Sequence, residues 1–340
     1  MAQKRWIALL CLFCMFACPA LGEESQDVLV IKEFRNLTDL MEQIGGDLSP
    51  VVDITSSSIY PEKARSLMSA YPSKTFLCRL KALGHHIITS DEHLNIASYK
   101  YRDINALTEV MDLMPNLKQV TTLGRVFTAE ELDELYARYP QVTDIVCKVK
   151  VGDHMVRTDR TAFSTRHASY TEDRHTQEDF KALRHCRGLV ALDVGHNAIT
   201  DLSFLELLPK LKILIVADNR FTDISPLANE PELEYLELIN NRITDISTLT
   251  NCPKLVDLHI GWCDITDITP LYGLTQLDRI WLAKNPSPQE QVDHIRALMP
   301  DCTINDTAVE RPTAEGWRTG APHYKIIQKI FSSSKYIPFP

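Results

Sequence analysis

Side chains that could do chemistry recur at a fixed interval in the second half of this 340-residue chain. Two sets of three are spaced by 22 residues: Tyr235, Asp257, Arg279 and Glu237, His259, Trp281. A carboxylate beside an imidazole can bind a metal or form an ion pair. Aromatic rings beside an arginine are typical of protein-binding hot spots. The choice between these chemistries depends on the elements that place the residues.

The same interval organises the surrounding sequence. Four segments that begin at Leu189, Leu211, Leu233 and Leu255 share the pattern L-x-x-L-x-L-x-x-N/C-x-I, and a divergent fifth begins at Leu277. A constant period with apolar residues at fixed phases is the pattern of leucine-rich repeats. It predicts an α/β solenoid of horseshoe shape with a concave parallel β-sheet.

The strand period places the candidate site on the concave face. Leucine phases point into the core, so the alternate residues of each strand face the concave side. We predict that this face is exposed and binds a protein, with a glycan as the alternative because aromatic rings also stack on sugars. The other interpretation is a solvated face whose aromatic rings cover one another. The candidate binding residues are Ile213, Ile215, Tyr235, Glu237, Ile239, Asp257, His259, Trp262, Arg279 and Trp281.

Metal and enzyme chemistry are not predicted. Glu237 with His259 and Asp257 with Arg279 are expected to be charge pairs between adjacent strands. A second cluster of His85, His86, Asp91, Glu92 and His93 has no recognised ligand spacing. The chain lacks the GxSxG, HExxH, GxGxxG and GxxxxGK[ST] motifs. We therefore expect no cofactor, no metal and no catalysis, and keep a hydrolase using the 151–176 insertion as a lesser alternative.

The N-terminus predicts export. Lys4 and Arg5 precede an apolar run over 6–17, and small residues follow at Ala20 and Gly22. This is the pattern of a secretory signal peptide cleaved near Gly22, so a secreted or cell-surface protein is expected. The alternative is a lipid anchor at Cys18. No later run is long enough for a membrane span.

The net charge restricts the possible partners, and the positions of the cysteines within the repeats restrict the possible disulfides. The net charge of −9 argues against nucleic acid as a partner. Six cysteines lie beyond the signal region, and Cys186 and Cys252 share one phase three repeats apart, too far for a disulfide. Cys147 is expected in a core strand, Cys263 takes the asparagine phase and Cys302 takes a leucine phase, so buried thiols are the better interpretation for these three.

We divide the chain into five parts: a signal peptide (1–22), degenerate strand–helix units (23–150), a polar insertion (151–176), regular repeats (177–304) and a tail (305–340). Convex-side helices are expected in the degenerate units, for example after the N-cap Thr128 with Glu131. Short 3₁₀ turns are expected in the regular repeats. The insertion can begin with a hairpin turn at Gly152-Asp153. A tail helix over 323–331, with Trp317, is expected to cap the open end of the solenoid.

The regular repeats resemble the internalin-like class of bacterial leucine-rich repeats. The resemblance is carried over 189–285 by the run N-x-I-T-D-I-S/T-x-L, as in Ile243 to Ser247. A broader resemblance to exported leucine-rich repeat proteins of Gram-positive bacteria depends on 157–165, 192–197, 316–318 and His323-Tyr324. It implies an exported, non-enzymatic recognition scaffold. The LPxTG-type sorting signal of internalins is missing, so covalent wall anchoring is not expected. An envelope spacer that acts through its ends is the alternative.

Overall fold

The computed structural model describes residues 28–165, 175–307, 316–318 and 321–339. The predicted signal peptide, its alternative lipid anchor at Cys18, and part of the polar insertion lie outside the described residues. None of the helices in these ranges is both long and apolar enough to span a membrane.

The chain forms two compact units. The described residues of the first are 28–91 and 108–115, and those of the second are 92–107, 116–165 and the described ranges from 175 onwards. Helix α3, Asn105–Met111, contributes residues to both units. Each unit is described by itself.

The first unit contains a four-stranded sheet with the order β1-β2-β3-β4. Strands β1 to β3 are parallel, and β4 pairs antiparallel with β3. Helix α1 begins after Asn36, whose side chain accepts a hydrogen bond from the Asp39 N–H at 2.9 Å. The element bounds are β1 Val28–Val30, α1 Leu37–Ile44, β2 Val51–Ile59, α2 Pro61–Ala70, β3 Thr75–Ala82 and β4 His85–Ile88.

The second unit opens with another four-stranded sheet, in the order β5-β6-β7-β8. Helix α4 begins with the predicted capping box: the Glu131 N–H donates to Thr128 Oγ1 at 3.2 Å, and the Thr128 N–H donates to Glu131 Oε2 at 3.0 Å. The predicted hairpin turn joins β7 to β8, with Val151 paired to His154. The bounds are β5 His93–Asn95, β6 Gln119–Phe127, α4 Ala129–Arg138, β7 Asp144–Val151 and β8 His154–Arg157.

The regular repeats form a seven-stranded parallel sheet in the order β15 to β9. Ile213 pairs with Tyr235, Tyr235 with Asp257, and Asp257 with Arg279. The predicted register is therefore confirmed. The strands are β9 Ala162–Ser164, β10 Ala191–Asp193, β11 Ile213–Ile215, β12 Tyr235–Glu237, β13 Asp257–His259, β14 Arg279–Trp281 and β15 Thr303–Asn305.

Short 3₁₀ turns return the chain between these strands, as predicted. They span Lys181–His185, Ser203–Leu207, Ser225–Asn229, Ser247–Asn251 and Thr269–Gly273. The described residues of this unit also form the α-helices α5 Gln177–Phe180, α6 Gln289–Leu298 and α7 Pro322–Ser333.

Asparagines recur at the N/C phase of the repeats, and aspartates recur four residues after them. Their side chains form hydrogen bonds with backbone groups. Asn219 Nδ2 donates to the carbonyl oxygens of Val194 at 3.0 Å and Val216 at 3.1 Å. Asp223 Oδ1 accepts the Ser225 N–H at 2.8 Å and so opens the next 3₁₀ turn. These asparagines and aspartates therefore stabilise the fold. The candidate site lies instead on the concave face of the strands.

The six described cysteines have free thiols, and all but the partly exposed Cys302 are buried. Burial raises the pKa of the Cys147 and Cys186 thiols to about 12. A thiol that stays protonated in an apolar core behaves as a small hydrophobic side chain.

Candidate binding surface

The register brings the predicted site residues together on the concave face of β11 to β14. The exposure predicted for them is wrong. Tyr235, Glu237, Asp257 and His259 are fully buried, and Trp281 is 5 % exposed. Ile213, Ile215 and Ile239 are buried as well, whereas Trp262 is partly exposed. The cover is the C-terminal tail, meaning residues 316–318 and 321–339.

Trp317 is the anchor of the C-terminal tail. Its ring centroid lies 4.9 Å from that of His259, 5.2 Å from Trp281 and 5.5 Å from Tyr235. Its indole Nε1–H donates to Glu237 Oε1 at 2.8 Å. The largest side chain of the tail is thus fully buried between three residues of the predicted site.

Glu237 is the polar centre beneath this anchor. Arg318 donates from Nε to Glu237 Oε1 at 3.2 Å and forms a second, shorter bond to Oε2, and the Tyr235 hydroxyl also donates to the carboxylate. Burial alone would raise the pKa of Glu237, but Arg318, with help from the Tyr235 hydroxyl and His259, holds the pKa below its usual value. Burial and the neighbouring Glu237 hold the pKa of Tyr235 well above its usual value. Glu237 is therefore an ionised acceptor with three donors.

Asp257 is a second buried carboxylate joined to the tail. Arg279 Nε donates to Asp257 Oδ1 at 3.0 Å, which is the charge pair that the sequence predicted. His323 Nδ1 lies 3.0 Å from Asp257 Oδ2. Arg279 also donates to the carbonyl oxygen of Trp317 at 3.0 Å, and its guanidinium lies 4.5 Å from the Trp317 ring centroid. Arg279 thus links the sheet to both the backbone and the ring of the anchor residue.

Helix α7 covers the rest of the concave face. Tyr324, Ile327 and Ile330 are buried in one apolar cluster with Ile213 and Ile215 of β11. The prediction that the helix and Trp317 cap the open end of the solenoid is therefore wrong. The physical reason is that the concave rows carry apolar and aromatic side chains, which an amphipathic helix packed over them removes from water.

Residues 334–339, the end of the C-terminal tail, make further contacts that hold the tail in place. The Thr161 hydroxyl donates to the Ser334 carbonyl oxygen at 2.5 Å. The Tyr336 hydroxyl donates to Glu234, and Lys212 Nζ lies 4.5 Å from the Tyr336 ring centroid. Phe339 packs on His323 with ring centroids 4.8 Å apart.

The fit between tail and sheet is incomplete at two places. A cavity of about 290 Å³ remains between α7 and strands β9 to β11. Asp193, Ile215 and Phe331 contribute to its walls. Burial raises the pKa of Asp193. Trp281 Nε1 is buried, and no acceptor for it exists among the described residues. A buried donor without an acceptor costs about 1–3 kcal/mol.

Sequence reasoning assigned Trp317 and the tail helix to the wrong place and gave no role to Arg318. The signal that could have placed them is charge complementarity. Glu237 and Asp257 face the same side of adjacent strands, and Arg318 and His323 lie on either side of one short segment of the tail.

Comparison with known proteins agrees with the repeat pattern. Residues 209–265 match the leucine rich repeat family model. No protein of curated function matches the sequence. Internalin C2 from Listeria monocytogenes is 26 % identical, with 46 % of this chain and 76 % of that chain covered and a TM-score of 0.34. Another internalin of that bacterium is 20 % identical, with 77 % and 76 % covered and a TM-score of 0.36.

A leucine-rich repeat protein of Leptospira interrogans is 16 % identical, with 78 % of this chain and 74 % of that chain covered and a TM-score of 0.34. TM-scores this low add no argument of their own. The fold is established by the 22-residue register of the parallel sheet together with the match over 209–265. The regular repeats are therefore a leucine-rich repeat solenoid, an architecture that generally serves as a protein-interaction module.

Proposed function

We propose that the chain is an exported protein-binding module whose concave sheet is the recognition surface. In this proposal the C-terminal tail holds the surface until a partner replaces it. The observation that carries the proposal is the seating of Trp317 between Tyr235, His259 and Trp281, with its indole bound to Glu237. The surface accommodates a peptide segment of its own chain in the way that an interface accommodates a hot-spot residue.

The charges of the surface support exchange of one segment for another. Glu237 and Asp257 are buried beneath the tail, where Arg318 and His323 face them. Leaving a buried carboxylate unpaired is strongly unfavourable. Departure of the whole tail avoids that penalty, because both carboxylates return to water together. The partner segment that fits is one with an aromatic residue next to a cation.

The tail has an advantage over any partner because it is part of the same chain. A tethered segment competes at an effective concentration in the millimolar range. A partner must therefore gain contacts that the tail does not make. The Trp281 indole N–H and the cavity beside Asp193 are two places where such contacts are available.

A peptide with the sequence of residues 316–339 tests the recognition surface in trans. We expect a fluorescently labelled peptide to bind the full-length Trp317→Ala variant at least tenfold more tightly than wild type, because the weakened tail no longer competes. Adding Glu237→Gln to that variant should reduce binding again, since the acceptor for Trp317 and Arg318 of the peptide loses its charge. Fluorescence anisotropy measures both effects.

The matched controls are a peptide that carries Trp317→Ala and a chain that carries Tyr99→Ala, which changes a surface aromatic residue, 37 % exposed, of the same unit. The control peptide should not bind, and the control chain should behave as wild type. Equal affinity of the labelled peptide for wild type and for the Trp317→Ala variant would reject the concave face as the recognition surface.

Export is supported by the sequence of residues 1–22 alone. We expect the protein recovered from the medium of a bacterial host to begin at Glu23, as N-terminal sequencing would show. A lipid-modified chain that begins at Cys18 would support the anchored alternative instead. Protein that stays inside the cell with Met1 intact would contradict export.

A further inference from the structure

A cluster of three potential metal ligands lies outside the binding surface. Asp153 Oδ1 is 3.2 Å from His154 Nε2 and 2.8 Å from His175 Nε2. All three ligand atoms lie within 4.8 Å of one another. Ligand atoms that surround one tetrahedral ion at about 2.0–2.1 Å are roughly 3.3 Å apart. Asp153 Oδ1 therefore lies at about this distance from both imidazole nitrogens.

Two separate elements bring these side chains together. Asp153 lies in the turn between β7 and β8, and His154 is the first residue of β8. His175 precedes α5, and its backbone is held by the first regular repeat: its N–H donates to Asn197 Oδ1 at 3.1 Å, and its carbonyl oxygen accepts the Ala198 N–H at 2.9 Å. Neither element alone supplies the full ligand set.

Gly152 permits the close approach of these elements. Its φ of +57° lies in the left-handed region, and a Cβ at this position would lie 2.5 Å from the His175 ring. Any other residue would therefore strain the turn and push the imidazole away. The ring instead lies directly against the hairpin.

Surrounding groups orient the two imidazoles. Asp179 Oδ2 lies 3.8 Å from His175 Nδ1 and is itself held by the Thr176 N–H at 2.9 Å. At 3.8 Å this carboxylate is beyond hydrogen-bond distance and acts on the imidazole through its charge. The Phe163 ring packs edge-on against His154, with centroids 5.6 Å apart. The His175 side chain is 11 % exposed and that of Asp153 is 69 % exposed, so the cluster is anchored inside but open to solvent.

We propose that Asp153, His154 and His175 bind one divalent transition-metal ion of the zinc type through Oδ1 and the two Nε2 atoms. Two imidazoles and one carboxylate suit zinc, cobalt and nickel better than magnesium or calcium, which prefer oxygen ligands. The ion ties the β7–β8 hairpin to the start of the regular repeats. Water occupies the remaining coordination positions. The site is independent of the concave binding surface and of the proposed function.

Cobalt and zinc titrations of the full chain, purified without a histidine tag and freed of metal with a chelator, test the site. We expect one equivalent of Co²⁺ to give visible absorption bands that Zn²⁺ abolishes, and calorimetry to give a Zn²⁺ dissociation constant in the micromolar range or below. His154→Gln, His175→Gln and Asp153→Asn should each weaken Zn²⁺ binding at least tenfold.

His196→Gln is the matched control, because it removes another histidine–aspartate contact of the same unit: His196 Nδ1 lies 3.0 Å from Asp218 Oδ2. It should leave Zn²⁺ binding unchanged. The exposed Asp153→Asn variant keeps the test decisive should a histidine variant fail to fold, and circular dichroism checks each fold. Zn²⁺ binding that Asp153→Asn and the two histidine variants retain, or no binding by wild type, would leave only an ion pair here and overturn the proposal.

Discussion

Replacing Trp317 with alanine should lower the free energy of unfolding of the repeat-containing unit by about 3–5 kcal/mol. Trp317 is fully buried and packs against three aromatic or imidazole rings of the sheet. Its removal leaves a large cavity and takes one donor from the buried Glu237 carboxylate. Urea denaturation followed by circular dichroism measures the change.

Two further variants separate the causes of this loss. Trp317→Phe keeps an aromatic ring but removes the indole donor, so it should cost about 1.5–3 kcal/mol, the usual range for a hydrogen bond to a charged group. Tyr99→Ala changes a partly exposed aromatic residue of the same unit and should stay within about 0.5 kcal/mol of wild type. A Trp317→Ala variant as stable as Tyr99→Ala would mean that the tail is not seated on the sheet.

Replacing Glu230 with leucine should stabilise the same unit, and the gain should grow with pH. Glu230 occupies a core phase that is Leu208 in the preceding repeat and Cys252 in the next. It is 1 % exposed, and among the described residues neither carboxylate oxygen has a hydrogen-bond partner. Burial raises the pKa of Glu230 from 4.5 to about 8. The charged form is therefore strongly disfavoured in the folded chain.

The sign of the pH dependence follows from proton binding. Between the ordinary pKa and about 8, the folded chain holds a proton on Glu230 that the unfolded chain has released. Stability is thus unaffected below the ordinary pKa, falls as the pH rises through this window, and is lowest above pH 8. At one pKa unit per about 1.4 kcal/mol, the full penalty is on the order of 5 kcal/mol.

Urea denaturation at pH 5 and at pH 8.5 measures the effect as the difference between each variant and wild type. Glu230→Leu should gain several kcal/mol at pH 8.5 and clearly less at pH 5. Glu230→Gln is the matched control, because it removes the charge while keeping the size and the polar atoms. The stability of this variant should also lack the pH dependence that Glu230 gives to the wild-type chain. A gain from Glu230→Leu that is equal at the two pH values would show that Glu230 is not held protonated in the folded chain.

Local patterns account for what the sequence could predict. The 22-residue register follows from side-chain alternation within short strands, so Tyr235, Asp257 and Arg279 pair as expected. The capping box of Thr128 and Glu131 depends on residues three apart. The tail helix also follows from a local pattern, because the spacing of Tyr324 and Ile327 places both residues on one helical face.

Contacts between distant segments account for what it could not predict. Whether Glu237 is exposed depends on Trp317, which lies 80 residues further along the chain. The tail does not share the 22-residue period of the strands, so the sequence does not predict its position on the concave face. The cluster of Asp153, His154 and His175 was missed for the same reason, because its ligands come from two elements without a recognised spacing.

The central claim is that the C-terminal tail covers the concave sheet, and hydroxyl-radical footprinting with mass spectrometry tests it most directly. In the wild-type chain we expect oxidation of Tyr235 and Trp281 to be at least tenfold slower than that of Tyr60, which is 48 % exposed. In the Trp317→Ala variant, the oxidation rates of Tyr235 and Trp281 should rise towards that of Tyr60. Tyr235 and Trp281 oxidised as fast as Tyr60 in the wild-type chain would contradict the claim.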